Sequence, residues 1–342
     1  MNHLGARRGL LTVCLCAAAG WTALSPAGAS FSSHAAFAAP SSECVRPPSA
    51  TLSSNAAATP APASPVASPG ATPVAQAAAA IGGQAAQTID QTTSSMIEQL
   101  VATVAACQTK RDYKTLAELV TPGFITEVYG GGTELSTVEF IQLGADLPAQ
   151  TVTIKSINDL SIDDKGVIGA DVVSIAGHQL LNSRWTFIAR ADAAGDDTGV
   201  QAGQVSGAWA VNSLTPQAVK IARGAKQFDV NVSDTALSPA TLSAKRGVDV
   251  VLNGANSGKQ DHELLALKLP KGMTVGDLLL ATGPAFPKGV EFVGQVTIPT
   301  KSKGQLVLTG FARGSYVVVD MLPDEDGIPY LAKGFSSTLK IT

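Results

Sequence analysis

Val248-Asp249-Val250-Val251-Leu252-Asn253, followed by Asn256-Ser257-Gly258-Lys259-Gln260-Asp261-His262-Glu263, decides how the last third of this chain reads. Val248, Val250 and Leu252 alternate, which is the period of a strand with one buried face. The Asn-Ser-Gly text then turns the chain. Outward from this stretch, Phe228, Val230 and Val232 alternate again, and strand text recurs at 264–269, 292–298, 306–309, 316–321 and 336–341. Gly and Pro turns separate these runs at the spacing of a β-sandwich. An insertion over 272–289 carries one helical turn, Val275-Gly276-Asp277-Leu278-Leu279-Leu280, and a Pro-rich loop. The expectation for 227–342 is an all-β Greek-key sandwich.

The same residues resemble bacterial cupredoxins. Asn256, Gly258, His262 and Glu263 match the turn in which that family presents its first histidine ligand. The closing segment, Gly314-Ser315-Tyr316-Val317-Val318-Val319-Asp320-Met321-Leu322-Pro323, continuing through Tyr330 to Phe335, resembles the part that carries the other three ligands. Where the family places Cys, His and Met, this chain has Asp320, Tyr330 and Phe335. The resemblance therefore implies a sandwich of cupredoxin type with one surviving ligand position, His262.

The residue inventory argues against copper independently. A blue-copper centre needs a thiolate and two imidazoles, usually with a weak axial thioether. The cysteines are Cys14, Cys16, Cys44 and Cys107, and the histidines His3, His34, His178 and His262, so the sandwich has no thiol and a single imidazole. No metal ligand and no cofactor is assigned. If buried against His262, Asp320 would bond the imidazole and fix its tautomer, while Phe335 would fill the axial space with hydrocarbon. A rival reading gives Asp320, Asp324, Glu325 and Asp326 to a hard cation such as calcium. The alternating ligand spacing of a calcium loop is missing, and Pro323 with Gly327 makes a turn the simpler account.

Residues 1–29 read as an export signal, with Arg7 and Arg8, an apolar run over 10–19 and Ala27-Gly28-Ala29 before the cut. The apolar run is short against the ~20 residues of a spanning helix, although a retained anchor stays open. Cleavage would remove two arginines and no acidic residue, taking the formal charge from −3 to −5. With no basic run, nucleic acid is not an expected partner. Residues 30–90 read as an Ala/Pro/Ser-rich disordered stalk; 47–89 holds no charged residue and cannot bury enough apolar surface to offset its ordering entropy. Cys44 and Cys107 remain after cleavage, either as a disulfide or as two unrelated thiols.

Residues 91–215 read as a cone-like α+β domain. Met96, Ile97, Leu100, Val101, Val104 and Ala105 share a helix face. Asp112 can cap a second helix that Pro122 perturbs or ends, and Ser136 with Glu139 forms a capping box for a third. Four strand runs follow, over 151–157, 167–175, 180–190 and 205–214. Three helices on a curved antiparallel sheet, with Lys110-Arg111-Asp112-Tyr113, Arg184-Trp185-Thr186-Phe187 and Gly207-Ala208-Trp209-Ala210-Val211, resemble the nuclear-transport-factor-2-like, SnoaL-like fold. That resemblance implies a cone with room for a small ligand, and Tyr129, Trp185 and Phe187 are the candidate lining. The fold hosts enzymes and plain binding modules alike. His178, in the Gly177-His178-Gln179 hairpin turn, is expected in solvent, as is Asp171, and Tyr113 in the core; no acid/base pair is visible, and no catalytic residue is assigned. Residues 216–226 connect the domains.

Three functions compete. The first is an exported, non-catalytic binding or interaction protein, with a small molecule or a protein as its partner. The second is a SnoaL-like enzyme acting on a small hydrophobic substrate. The third is copper binding or electron transfer, which the ligand inventory disfavours.

Overall fold

The structure is a computed structural model and describes residues 43–45, 89–163, 167–190, 209–280 and 286–342. The export signal and the stalk, apart from 43–45 and 89–90, lie outside the described residues, as does the start, 205–208, of the strand expected over 205–214.

Helix α1, Gln91–Lys110, starts where Asp90 accepts from Thr93 N–H at 2.9 Å and buries Ile97, Leu100, Val101 and Val104. It ends at Arg111, whose φ of 58° turns its N–H back onto the last carbonyls. Asp112 caps α2, Tyr113–Leu119. The three helices expected become four here. Val120 is extended, and Thr121 starts a new helix, α3, Pro122–Val128, by accepting from Phe124 N–H at 3.1 Å. Proline lacks the N–H that a continuing helix needs, but fits a first turn. Helix α4, Thr137–Asp146, has the expected capping box of Ser136 and Glu139.

These helices pack on the antiparallel strands β1 (Val152–Ile162), β2 (Ile168–Ala176), β3 (Gln179–Ala189) and β4 (Trp209–Pro216). The sandwich follows. One of its faces has β5 (Lys226–Ser233), β6 (Ala236–Ser238), β8 (Val250–Asn256) and β11 (Lys303–Leu308), in the order β6-β5-β8-β11. The other has β7 (Thr241–Ala244), β9 (His262–Lys268), β10 (Glu291–Ile298), β12 (Gly314–Val319) and β13 (Ser336–Ile341), in the order β10-β9-β12-β13-β7. The pairs β5/β8 and β7/β13 are parallel. Val230, Leu252, Leu264, Leu306, Val318 and Leu339 fill the space between the sheets. A second layer, including Leu265, Leu267 and Val319, lies on the outer face of the five-stranded sheet beneath α5, Val275–Leu280. The chain is thus an α+β cone-like domain followed by an all-β sandwich.

The two domains share a sheet. Leu308 of β11 pairs with Gln179 of β3, so the first face of the sandwich continues into the cone sheet as eight strands. The tip of the β2–β3 hairpin sits where the edges of β10 and β11 meet. His178 N–H donates to Val293 O at 2.9 Å, and Thr309 N–H donates to His178 O at 2.8 Å. Gly177 has φ 62°, and a Cβ there would stand 2.5 Å from Phe292 O, so only glycine fits this close approach. His178 is not in solvent: it is half-buried, its Nδ1 lies 2.8 Å from Thr309 O, and its ring stacks on Phe311. Among the described residues no helix is long and apolar enough to cross a membrane.

Cys44 and Cys107 form a disulfide across a sequence separation of 63. Cys107 is fully buried in α1, and Cys44 packs against the same core. Closing a loop of this length removes denatured-state entropy worth about 4 kcal/mol in the chain-entropy model. Cys44→Ser should therefore lower stability to urea by about 3–4 kcal/mol, read from equilibrium unfolding followed at the cone-domain tryptophans. An unchanged midpoint would show that the bridge contributes nothing to the fold.

Candidate functional site

The turn between β8 and β9 is built residue by residue. Asn256 is buried; its Nδ2 donates to Gln260 O at 2.8 Å and Ile298 O at 2.9 Å, and its Oδ1 accepts from Gly258 N–H at 2.8 Å. Gly258 lets Asp234 approach from the β5–β6 turn: a Cβ would stand 2.3 Å from Asp234 Oδ1. Asp234 accepts from the backbone N–H of Lys259 at 2.8 Å and of Gln260 at 3.3 Å. Burial tends to raise its pKa, but these backbone bonds and the nearby His262 outweigh that, so its carboxyl sits below the usual range.

His262 opens β9 and points inward, fully buried. Its Nδ1 is 2.6 Å from Asp320 Oδ2, and Asp320 is buried as completely. Asp320 follows β12; its backbone N–H donates to Phe335 O, and its Oδ1 accepts from Leu322 N–H at 3.1 Å. The bond to Asp320 fixes the ring so that Nε2 faces Asp234 Oδ1, 3.5 Å away, without making a hydrogen bond of its own. Burial raises the Asp320 pKa, and the bond to His262 opposes that only in part. Tyr330 and Phe335 close the remaining sides, with ring centroids 4.4 and 6.0 Å from the imidazole. The four positions singled out in the sequence, His262, Asp320, Tyr330 and Phe335, thus converge on one sealed cluster.

The residue that sequence reading missed as part of this cluster is Glu263. Pointing to the opposite face from His262, it is 3% exposed, and Oε1 accepts from Met321 N–H at 3.0 Å while Oε2 lies 2.6 Å from the Gln295 amide. Burial first, and the neighbouring Asp320 second, push its pKa up to about 8. The sequence signals were its place in the Asn256–Glu263 turn text and its position beside His262 in a strand, where successive side chains face opposite sheet surfaces.

The acidic text after β12 makes a turn. Asp324 Oδ1 accepts from the N–H groups of Asp326 and Ile328, both at 2.9 Å, and its other oxygen pairs with Lys333. Among the described residues no three His, Cys, Asp or Glu side chains are arranged to hold a metal.

The three residues expected to line the cone are buried. Tyr129 is 1% exposed, its hydroxyl accepts from Gln108 Nε2 at 2.9 Å, and its ring packs edge-on against Phe140 and Tyr113. Trp185 and Phe187 belong to the same packed cluster. Tyr129, Trp185 and Phe187, expected as a lining, therefore sit within the core. Burial raises the pKa of Tyr129, and that of Tyr113 to about 12, so neither phenol is poised as a base near neutral pH.

No family model and no curated protein matches this sequence. Solved structures similar to part of it include a dithionite-reduced auracyanin from Roseiflexus castenholzii, 14% identical over 35% of this chain and 99% of that one, with a TM-score of 0.28. Auracyanin A, described as a "blue" copper protein from Chloroflexus aurantiacus, is 16% identical over 34% of this chain and 99% of that one, with a TM-score of 0.25. A multi-copper oxidase from Pediococcus acidilactici is 10% identical over 36% of this chain and 28% of that one, with a TM-score of 0.24. At scores this low the likeness assigns neither a fold nor an activity, and the fold rests on the strand pairing.

Two predictions follow from the cluster's geometry. Asp320→Ala strands His262 Nδ1 and Leu322 N–H in a sealed interior and should cost about 3 kcal/mol, measured by urea unfolding at pH 7. Glu263 binds its proton more tightly in the folded than in the unfolded chain. Between its unfolded pKa, roughly 4.3, and about 8, the folded state holds the extra proton, so its contribution to stability falls as pH rises through that window. The raised Asp320 adds a term of the same sign. Glu263→Gln should flatten the dependence of the melting temperature on pH between 5 and 8; a variant as steep as the parent would contradict the assignment.

Proposed function

We propose that this chain is an exported, non-catalytic binding or interaction protein whose sandwich is a metal-free scaffold derived from a copper-binding one. One observation carries the reading: Asp320 Oδ2 takes Nδ1 of His262 at 2.6 Å within a sealed cluster. Copper does not fit the residues present there. The thiolate position is a carboxylate already bonded to the surviving imidazole, and the other two positions are Tyr330 and Phe335 rings. A soft redox metal needs thiolate and imidazole donors, and this cluster offers neither a sulfur nor a second imidazole. In the copper site's place, a hydrogen-bonded acid–imidazole pair ties the start of β9 to the end of β12.

Export is supported by the signal-like text over 1–29 and by the Cys44–Cys107 bridge, which suits an oxidising compartment. A non-catalytic role is supported by the sandwich cluster, where Asp320, Tyr330 and Phe335 surround His262 in place of metal donors. The test is native mass spectrometry and metal analysis of the mature protein from its own host, with a visible spectrum after copper is added. The expected result is a metal-free, colourless protein that retains a protein partner or a small molecule. Stoichiometric copper with intense visible absorption would overturn the reading.

A further inference from the structure

The seam between the domains and the His262 cluster are joined by the side chains of Gln179, Gln295 and Glu263. Gln179, at the start of β3, is 4% exposed and inserts its amide into the edge of β10. Its Oε1 accepts from Gln295 N–H at 2.9 Å, and its Nε2 donates to Gln295 O at 2.8 Å. The amide thus replaces the strand that would otherwise pair with β10. The slot for it is built: Gly294 has no side chain, and a Cβ there would stand 3.0 Å from Gln179 Cβ and 2.7 Å from a Leu308 methyl. A register irregularity between Phe292 and Gly294 opens β10 at the same place. The Gln295 side chain then reaches Glu263 at 2.6 Å, and Glu263 holds the Met321 N–H at 3.0 Å. Met321 is the residue after Asp320.

We propose that Gln179, Gln295 and Glu263 form a coupling relay through which the position of the cone domain's hairpin tip sets the order of the Asp320–Phe335 segment. The Gln179 amide holds the Gln295 main chain, and the Gln295 side-chain amide holds Glu263, so withdrawing Gln179 leaves the Gln295 N–H and C=O unsatisfied and frees the residue that positions Glu263. The backbone bonds of the same tip, His178 N–H to Val293 O and Thr309 N–H to His178 O, hold the seam without entering the relay. A partner that shifts the cone domain would therefore be felt at the His262 cluster.

The seam and the relay can be cut separately. Gln179→Ala removes the relay's first link, while His178→Ala removes the stacking on Phe311 and the Nδ1 contact with Thr309 O but leaves the relay intact. Amide hydrogen exchange is measured by NMR in the full chain for Met321, with Leu339 of β13 as the internal reference for global stability. Gln179→Ala should lower the protection of Met321 relative to Leu339 by tenfold or more, and His178→Ala should change it less than threefold. In a Gln295→Met background, where the relay is already broken at its middle, Gln179→Ala should add less than threefold. Equal effects of Gln179→Ala and His178→Ala, or an unchanged Met321 in Gln179→Ala, would overturn the proposal. If Gln179→Ala does not fold, Gln179→Met, which keeps the length and loses the amide, reads the same comparison.

Discussion

The fold depends on covering two strand edges. A two-sheet sandwich leaves rows of unpaired N–H and C=O groups where its sheets end, and here the exposed pair is β10 and β11. The cone domain's β2–β3 tip supplies the missing partners through His178 and Gln179, and Ala149 accepts from Phe292 nearby. One consequence is the continuous sheet that runs from β1 to β6. Another is the local composition: Gly177 is required because its φ is positive and a Cβ would meet the Phe292 carbonyl, while Gly294 leaves room for Gln179 and Leu308.

At the start of β9 the chain solves a different problem. His262 and Asp320 are both fully buried, and a buried polar group is tolerable only with a partner. Each is the other's partner, and aromatic rings close around them. Glu263, one residue on, faces the outer layer and answers the same constraint by holding its proton and bonding Gln295 and Met321. The adjacent pair shows how alternation along a strand puts two polar groups into different environments, with Asp320 acting on both, as the hydrogen-bond partner of His262 and as a neighbouring carboxylate to Glu263.

Much of this was legible in one dimension. Alternating Val250 and Leu252, the Asn-Ser-Gly turn, the capping box at Ser136 and the buried stripe of α1 are local patterns, and local physics decides them. The break between α2 and α3 was half legible: Pro122 announced it, but the bridge between Val120 and Val211, which makes the break useful, is a long-range contact. His178 was misjudged for the same reason. A polar residue in a hairpin turn normally meets water, and only the docking of that turn against β10 and β11 buries it.

By itself, the sequence determined the sandwich and cone-like classes and left residues 227–342 with no thiol and a single imidazole, because composition and periodicity are properties of the chain. Only the tertiary structure decided that Cys44 reaches Cys107, that Asp320 meets His262 rather than solvent, and that Glu263 is buried. It also decided that Gln179 completes a strand edge in the other domain. Each of these joins residues distant in the chain, where the sign of the energy depends on what burial removes from water and on what replaces it.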